Sequence, residues 1–157
     1  MNLEIERKFL VKNDSFKSNA FKKKYIKQGF LNSDKERTVR VRLLEDAAFL
    51  TIKGKSNTAG TTRYEWEKEV SIKDGNELML LTEKTVIEKY RYYIKEGNHV
   101  FEVDEFLGEN SGLIIAEIEL GAEDESFSKP AWLGKEVTGN ISYYNSSLSK
   151  SPFCSWA

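Results

Sequence analysis

Acidic and basic residues recur at every second position in most of the extended stretches of this chain. In "EIERKFLV", a strand would turn Glu4, Glu6 and Lys8 to one face and Ile5, Arg7 and Phe9 to the other. The same reading puts Arg40 beside Arg42, Thr51 beside Lys53, and Glu65 with Glu67 and Glu69. It also groups Lys89, Arg91 and Tyr93, then Glu102 with Asp104, and Glu117 with Glu119. Brought together, Lys8, Arg40, Arg42, Lys53, Lys89 and Arg91 would suit an anion of several phosphates, since arginine can grip phosphate oxygens bidentately. The pairs Glu4/Glu6 and Glu117/Glu119 would each present their oxygens on one strand face, where hard divalent cations such as Mg²⁺ or Mn²⁺ bind. Such a combination suits phosphoryl transfer, which needs mainly positioning and charge neutralisation.

Positioning these rows requires a mainly β chain. Strands are expected at Glu4–Val11, Tyr25–Leu31, Arg37–Leu44, Ala48–Lys55, Arg63–Ile72, Val86–Glu96, His99–Leu107 and Leu113–Leu120, mostly as antiparallel neighbours joined by short turns. "NDSFKSNAFKKK" reads as a short helix or loop, and "DGNELMLLTEKT" as a helix over about 74–82. "KPAWLGKEVTG" and "SYYNSSLSK" read as short helices separated by Gly139. The rows opposite the charges are apolar and need cover from helices and loops. Two architectures satisfy this pattern: an open sheet with one charged face in water, or an eight-stranded barrel with charges inside. Unpaired charges inside a barrel are too costly, so the closed form demands mutual pairing, water and a charged ligand.

Composition narrows the classes. A chain of 157 residues fits one domain over 1–157, and 24 Lys+Arg against 25 Asp+Glu argues against nucleic-acid binding by bulk charge. One histidine, His99, leaves no multi-histidine metal site and reads as an exposed turn residue. One cysteine, Cys154, excludes a disulfide framework and suits a reducing compartment. No apolar run approaches the roughly 20 residues of a membrane span, and the start lacks a signal-peptide pattern, so a cytoplasmic location is expected. Outer-face tyrosines such as Tyr90 and Tyr92 could serve a homodimer.

"EIERKFLV" resembles the E-x-E-x-K signature of the CYTH superfamily, the triphosphate tunnel metalloenzymes. The likeness continues in order through "TVRVR", "LTIKGK", "YEWEKEV", "EKYRYYI", "FEVDEF", "AEIEL" and "WLGKEVTGN". It implies a closed eight-stranded antiparallel barrel with a charged interior, flanked by short helices, that binds a triphosphate with one or two divalent ions. By that resemblance Glu4, Glu6, Glu117 and Glu119 fall in the metal set, with Glu102 and Asp104 as further acidic positions. Lys8, Arg40, Arg42, Lys53, Lys89 and Arg91 match the phosphate-binding cations; Lys89, Glu6, Glu65 and Glu67 are the candidate catalytic residues. Two departures stand out: Phe30 where small bacterial triphosphatases often carry Tyr, and Ser142 where a basic residue is common, a phosphate contact that Lys135 could supply.

The expected activity is metal-dependent hydrolysis of inorganic tripolyphosphate. A class IV adenylate cyclase would carry an aromatic-rich lead-in and an adenine pocket, neither recognisable here. A thiamine triphosphatase would need an aromatic platform, and Trp66 belongs to an apolar row. A non-catalytic polyphosphate or nucleotide binder would gain nothing from keeping two E-x-E pairs.

Overall fold

The computed structural model describes residues 3–83 and 86–156. The single-domain expectation also spans 1–2, 84–85 and 157, which lie outside the described residues. The strands are β1 (Leu3–Val11), β2 (Lys22–Asn32), β3 (Arg37–Leu43), β4 (Ala48–Gly54), β5 (Thr62–Val70), β6 (Ile87–Glu96), β7 (His99–Phe106), β8 (Ile114–Glu119) and β9 (Leu133–Glu136). Helices are α1 (Phe16–Asn19), α2 (Ile72–Met79) and α3 (Asn145–Leu148), with 3₁₀ turns at Gly108–Asn110, Ile141–Tyr143 and Phe153–Ser155.

Pairing runs β5-β4-β3-β2-β6-β7-β8-β1, and β5 also pairs with β1, so eight antiparallel strands close into a ring. Closure is brief: Leu3, Glu4 and Ile5 meet Tyr64, Arg63 and Thr62. Farther along the same edge of β1, β9 takes over, with Val11 opposite Leu133 and Phe9 opposite Glu136. This corrects the helix expected within "KPAWLGKEVTG". Four residues show little periodicity, and their extended form comes from pairing with an edge that β5 leaves free. Strand β2 is longer than expected because Lys22, Lys23 and Lys24 pair with Tyr93, Tyr92 and Arg91. Helix α2 begins two residues earlier than 74, where the Ser71 hydroxyl caps it by accepting from the Asp74 N–H.

The outer face is covered unevenly. On β1, β6, β7 and β8, Phe9, Tyr92, Ile94, Phe101, Val103 and Ile118 pack beneath Phe16 of α1 and Trp132 and Leu133. Tyr92 is therefore buried under Phe16, not displayed for a partner, and Tyr90 meets Tyr25 edge to face. Helix α2 lies over β3 and β4, where Gly75 lets its backbone approach Ala48 and Leu43. Leu3, Ile52 and Tyr64 remain exposed, so the cover expected for every apolar row is missing there. His99 is less exposed than a turn residue, its ring held by the Glu125 carboxylate.

A second apolar cluster lies inside the ring. Ile87 is two residues before Lys89, Phe106 two after Asp104, and Ile115 two before Glu117, so they continue the inward rows. With Phe30, Leu113 and Leu148 they fill one end, backed by Tyr143, Phe153 and Trp156. The alternating pattern gave no warning of an interior charged along most of its length and apolar at one end.

An alanine at Gly75 should gain roughly 1 kcal/mol in helix propensity. Its Cβ would nevertheless stand 2.5 Å from the Ala48 Cβ and 2.8 Å from Leu43 Cδ2. Gly75→Ala is therefore expected to lower the urea midpoint, with overpacking of about 1–3 kcal/mol outweighing propensity; a raised midpoint would contradict so close a seat for α2.

Candidate active site

The charged rows converge on one cavity of about 270 Å³ inside the ring. Strand β1 contributes Glu4, Glu6 and Lys8, β3 Arg40 and Arg42, β4 Thr51 and Lys53, and β5 Glu65 and Glu67. From the other half come Lys89 and Arg91 of β6, Glu102 of β7, and Glu117 and Glu119 of β8. Closure explains the convergence, since in a ring a two-residue period sends every such row to one axis. Asp104 is buried behind the cavity wall, and Lys135 is exposed on β9 outside the lining. Ser142 is likewise exposed outside it, whereas Phe30 lines the cavity where the apolar end begins.

The cations are held in place by carboxylates. Asp104 accepts Arg91 Nε at 2.7 Å and Nη2 at 2.9 Å, and also pairs with Lys89 Nζ at 2.8 Å. Burial would raise the Asp104 carboxyl, but Arg91 and Lys89 bring it below its ordinary value. Burial lowers the Lys89 ammonium to about 8, with Asp104 acting against that shift. Across the cavity Glu67 lies 3.4 Å from Arg42 and 3.7 Å from Arg40, and accepts the Thr51 hydroxyl at 2.7 Å. Burial and the neighbouring Arg42 and Arg91 lower the Arg40 guanidinium to about 10. The Nε–H groups of Arg40 and Arg42 are buried without an acceptor among the described residues, a state that a bound anion would relieve.

The acidic side is crowded. Across β1 and β8, Glu6 stands opposite Glu119 and Lys8 opposite Glu117. Burial, then Glu117 and Glu4, push the Glu6 carboxyl well above its ordinary value. Glu117 stays below its own despite burial, because Lys8, Arg91 and Lys89 are near. Lys53 donates to both Glu4 oxygens, at 2.9 and 3.1 Å, and lies 3.5 Å from Glu65. Burial alone would lower the Lys53 ammonium, but Glu4 and Glu6 hold it above its usual range. Among the described residues no three carboxylates stand in ready-made ligating positions. The donors still suit a hard cation: all are oxygens, and a divalent ion would offset the mutual repulsion of Glu4, Glu6 and Glu117 and compete with Lys53 for Glu4.

Several lining residues went unrecognised in the sequence. Arg63 stands two residues before Glu65 on the same row, a legible signal; it donates to Gly54 O and Thr38 Oγ1. Thr138 and Tyr144 come from connections, and Asn145 and Ser146 from the first turn of α3, where no strand period marks them. Tyr144 places its ring 5.0 Å from Lys8 Nζ and 5.7 Å from the Arg63 guanidinium.

Asp104→Asn should destabilise the fold by about 3–5 kcal/mol, since it leaves buried Arg91 and Lys89 without their shared counter-charge. Glu102→Gln, which touches only the outer side of Arg91 at 3.4 Å, should cost less than about 1 kcal/mol. Urea unfolding of both variants checks the contrast, and equal losses would contradict the inner pairing as the main tie.

Comparison with known proteins agrees with this geometry. The CYTH domain matches residues 2–152. The inorganic triphosphatase of Acetivibrio thermocellus is 49% identical over 154 residues, covering 98% of this chain and 97% of that protein. The inorganic triphosphatase of Nitrosomonas europaea is 33% identical over 153 residues, covering 94% and 97%. The crystal structure of the inorganic triphosphatase NE1496 superposes with a TM-score of 0.66 at 32% identity, covering 93% of this chain and 97% of that one. Matched over nearly its whole length in sequence and in fold, this chain belongs to the CYTH family.

Proposed function

We propose that this protein hydrolyses inorganic tripolyphosphate to pyrophosphate and phosphate, using a divalent cation, Mg²⁺ or Mn²⁺. The carrying observation is a cavity with six cationic side chains from β1, β3, β4 and β6 facing two E-x-E pairs on adjacent strands. The polar character of the wall favours an inorganic substrate: Phe30 and Tyr144 are its aromatic members, and Trp66 lies outside the lining. A nucleobase or thiazolium ring would find little to stack on.

Lys8, Arg40, Arg42, Lys53, Lys89 and Arg91 bind and orient the phosphates. Glu67, Thr51 and Asp104 fix the rotamers of those cations, so little reorganisation is left for the reaction. Glu4, Glu6, Glu117 and Glu119 would hold the cation, which when bound neutralises phosphate charge and lowers the pKa of water. Burial and Glu4 raise the Glu65 carboxyl from its ordinary value, and it faces the cavity, where it can orient an attacking water and take its proton. The water oxygen forms the new bond to the terminal phosphorus as the bond to the bridging oxygen breaks, and that electron pair leaves with pyrophosphate. Among the described residues no helix is long and apolar enough to cross a membrane, which is consistent with the cytoplasmic location we propose.

The test is phosphate and pyrophosphate release from tripolyphosphate, ATP and thiamine triphosphate, with Mg²⁺, with Mn²⁺ and with chelator. Fast release from tripolyphosphate that chelator abolishes is expected; cAMP from ATP, or binding without turnover, would overturn the reading. Glu6→Ala should remove turnover, at least 10³-fold on the scale of a lost cation centre. Lys89→Ala should lower kcat more than it changes KM, and equal effects on both would argue against a transition-state contact at Lys89.

A further inference from the structure

Asn145, the first residue of α3, lines the cavity and touches side chains of the paired strands β6 and β2. Its Oδ1 accepts Lys89 Nζ at 2.8 Å and Gln28 Nε2 at 2.7 Å. A lysine ammonium can only donate, so the orientation of the Asn145 amide is determined: oxygen toward Lys89, NH₂ turned away. Gln28 must then also present its NH₂ to that oxygen. Its own Oε1 is left buried without a partner among the described residues, and Gln28 is fully buried. A fold under selection for stability alone would not keep an unpaired acceptor there, and the arrangement is intelligible if Gln28 serves to lock Asn145.

Lys89 has three hydrogens. Asp104 and Asn145 receive two of them, and the residue lines the cavity. The third is thereby left for a phosphate oxygen, in a direction fixed by the other two. We infer that Asn145 is a positioning residue for the phosphate-binding Lys89, delivered by the α3 segment and locked by Gln28. This rests on the triphosphatase reading for its kinetic consequence, but not for the contact itself. Leu148, one helical turn later, is fully buried in the apolar end and anchors α3 in register.

The test is a double-mutant cycle of Asn145→Ala and Lys89→Ala, read as kcat and KM for tripolyphosphate hydrolysis. Asn145→Ala alone should lower kcat about tenfold with KM changed less than about threefold, and should have no further effect on kcat in the Lys89→Ala background. Independent, multiplicative losses would overturn the proposal, because a merely structural plug would act with or without Lys89. A second readout needs no activity: the Lys89 ammonium resonance of the ¹⁵N-labelled protein, assigned by its loss in Lys89→Ala. It should be protected from exchange in the wild type, lost in Asn145→Ala and retained in Asn145→Asp, which keeps the acceptor oxygen. A resonance unchanged by Asn145→Ala refutes the contact. If the wild type fails to hydrolyse tripolyphosphate, the triphosphatase reading falls and the resonance alone decides the role of Asn145.

Discussion

The contact on which the remaining interior depends is the buried one between Asp104, Arg91 and Lys89, with distances of 2.7–2.9 Å on all three bonds. Closing eight charged strands into a ring gathers like charges that water can no longer screen. Asp104 solves this on the β6 side by taking two cations at once. Glu67 and Thr51 do so for Arg40 and Arg42, and Glu4 for Lys53. The pairing on the β3 side leaves part of its cations free: the Nε–H groups of Arg40 and Arg42 have no acceptor among the described residues. The pairing therefore stabilises the barrel and leaves it incompletely neutralised, a condition suited to an anion with several oxygens.

The acidic half works in the opposite sense. Burial and the charge of Glu117 raise the Glu6 carboxyl, while Lys8 keeps Glu117 below its ordinary value despite burial. Cation-binding and anion-binding groups thus border one another along β1, where Glu4, Glu6 and Lys8 share a face. A metal triphosphate has the same alternation of charge, and this local match explains why the chain can be nearly neutral overall.

Much of this was legible in the sequence because the period of a strand is short and strict. Every charged row predicted from "EIERKFLV" to "AEIEL" reaches the cavity, but Glu69 and Tyr93 fall outside its lining, and Asp104 shares the inward row but is consumed by its neighbours. Whether the sheet closed could not be read from alternation, since an open sheet has the same period; the decisive Leu3–Tyr64 pairing joins residues distant in sequence. The apolar end was hidden for a related reason. Ile87, Phe106 and Ile115 sit on inward rows, and a strand pattern does not say where along the barrel its polarity changes. Strand β9 and Asn145 depend wholly on tertiary partners, and Lys135, offered in place of a basic residue at Ser142, lies exposed outside the lining.

The apolar end also fixes depth. With Phe30, Ile87, Phe106, Leu113, Ile115 and Leu148 filling one end, the interior is graded along its axis, and the exposed Glu67 and Glu119 belong to its charged length. A highly charged ion gains nothing by advancing into the apolar end, so that cluster sets how deep it can sit and leaves the charged rows as its whole seat.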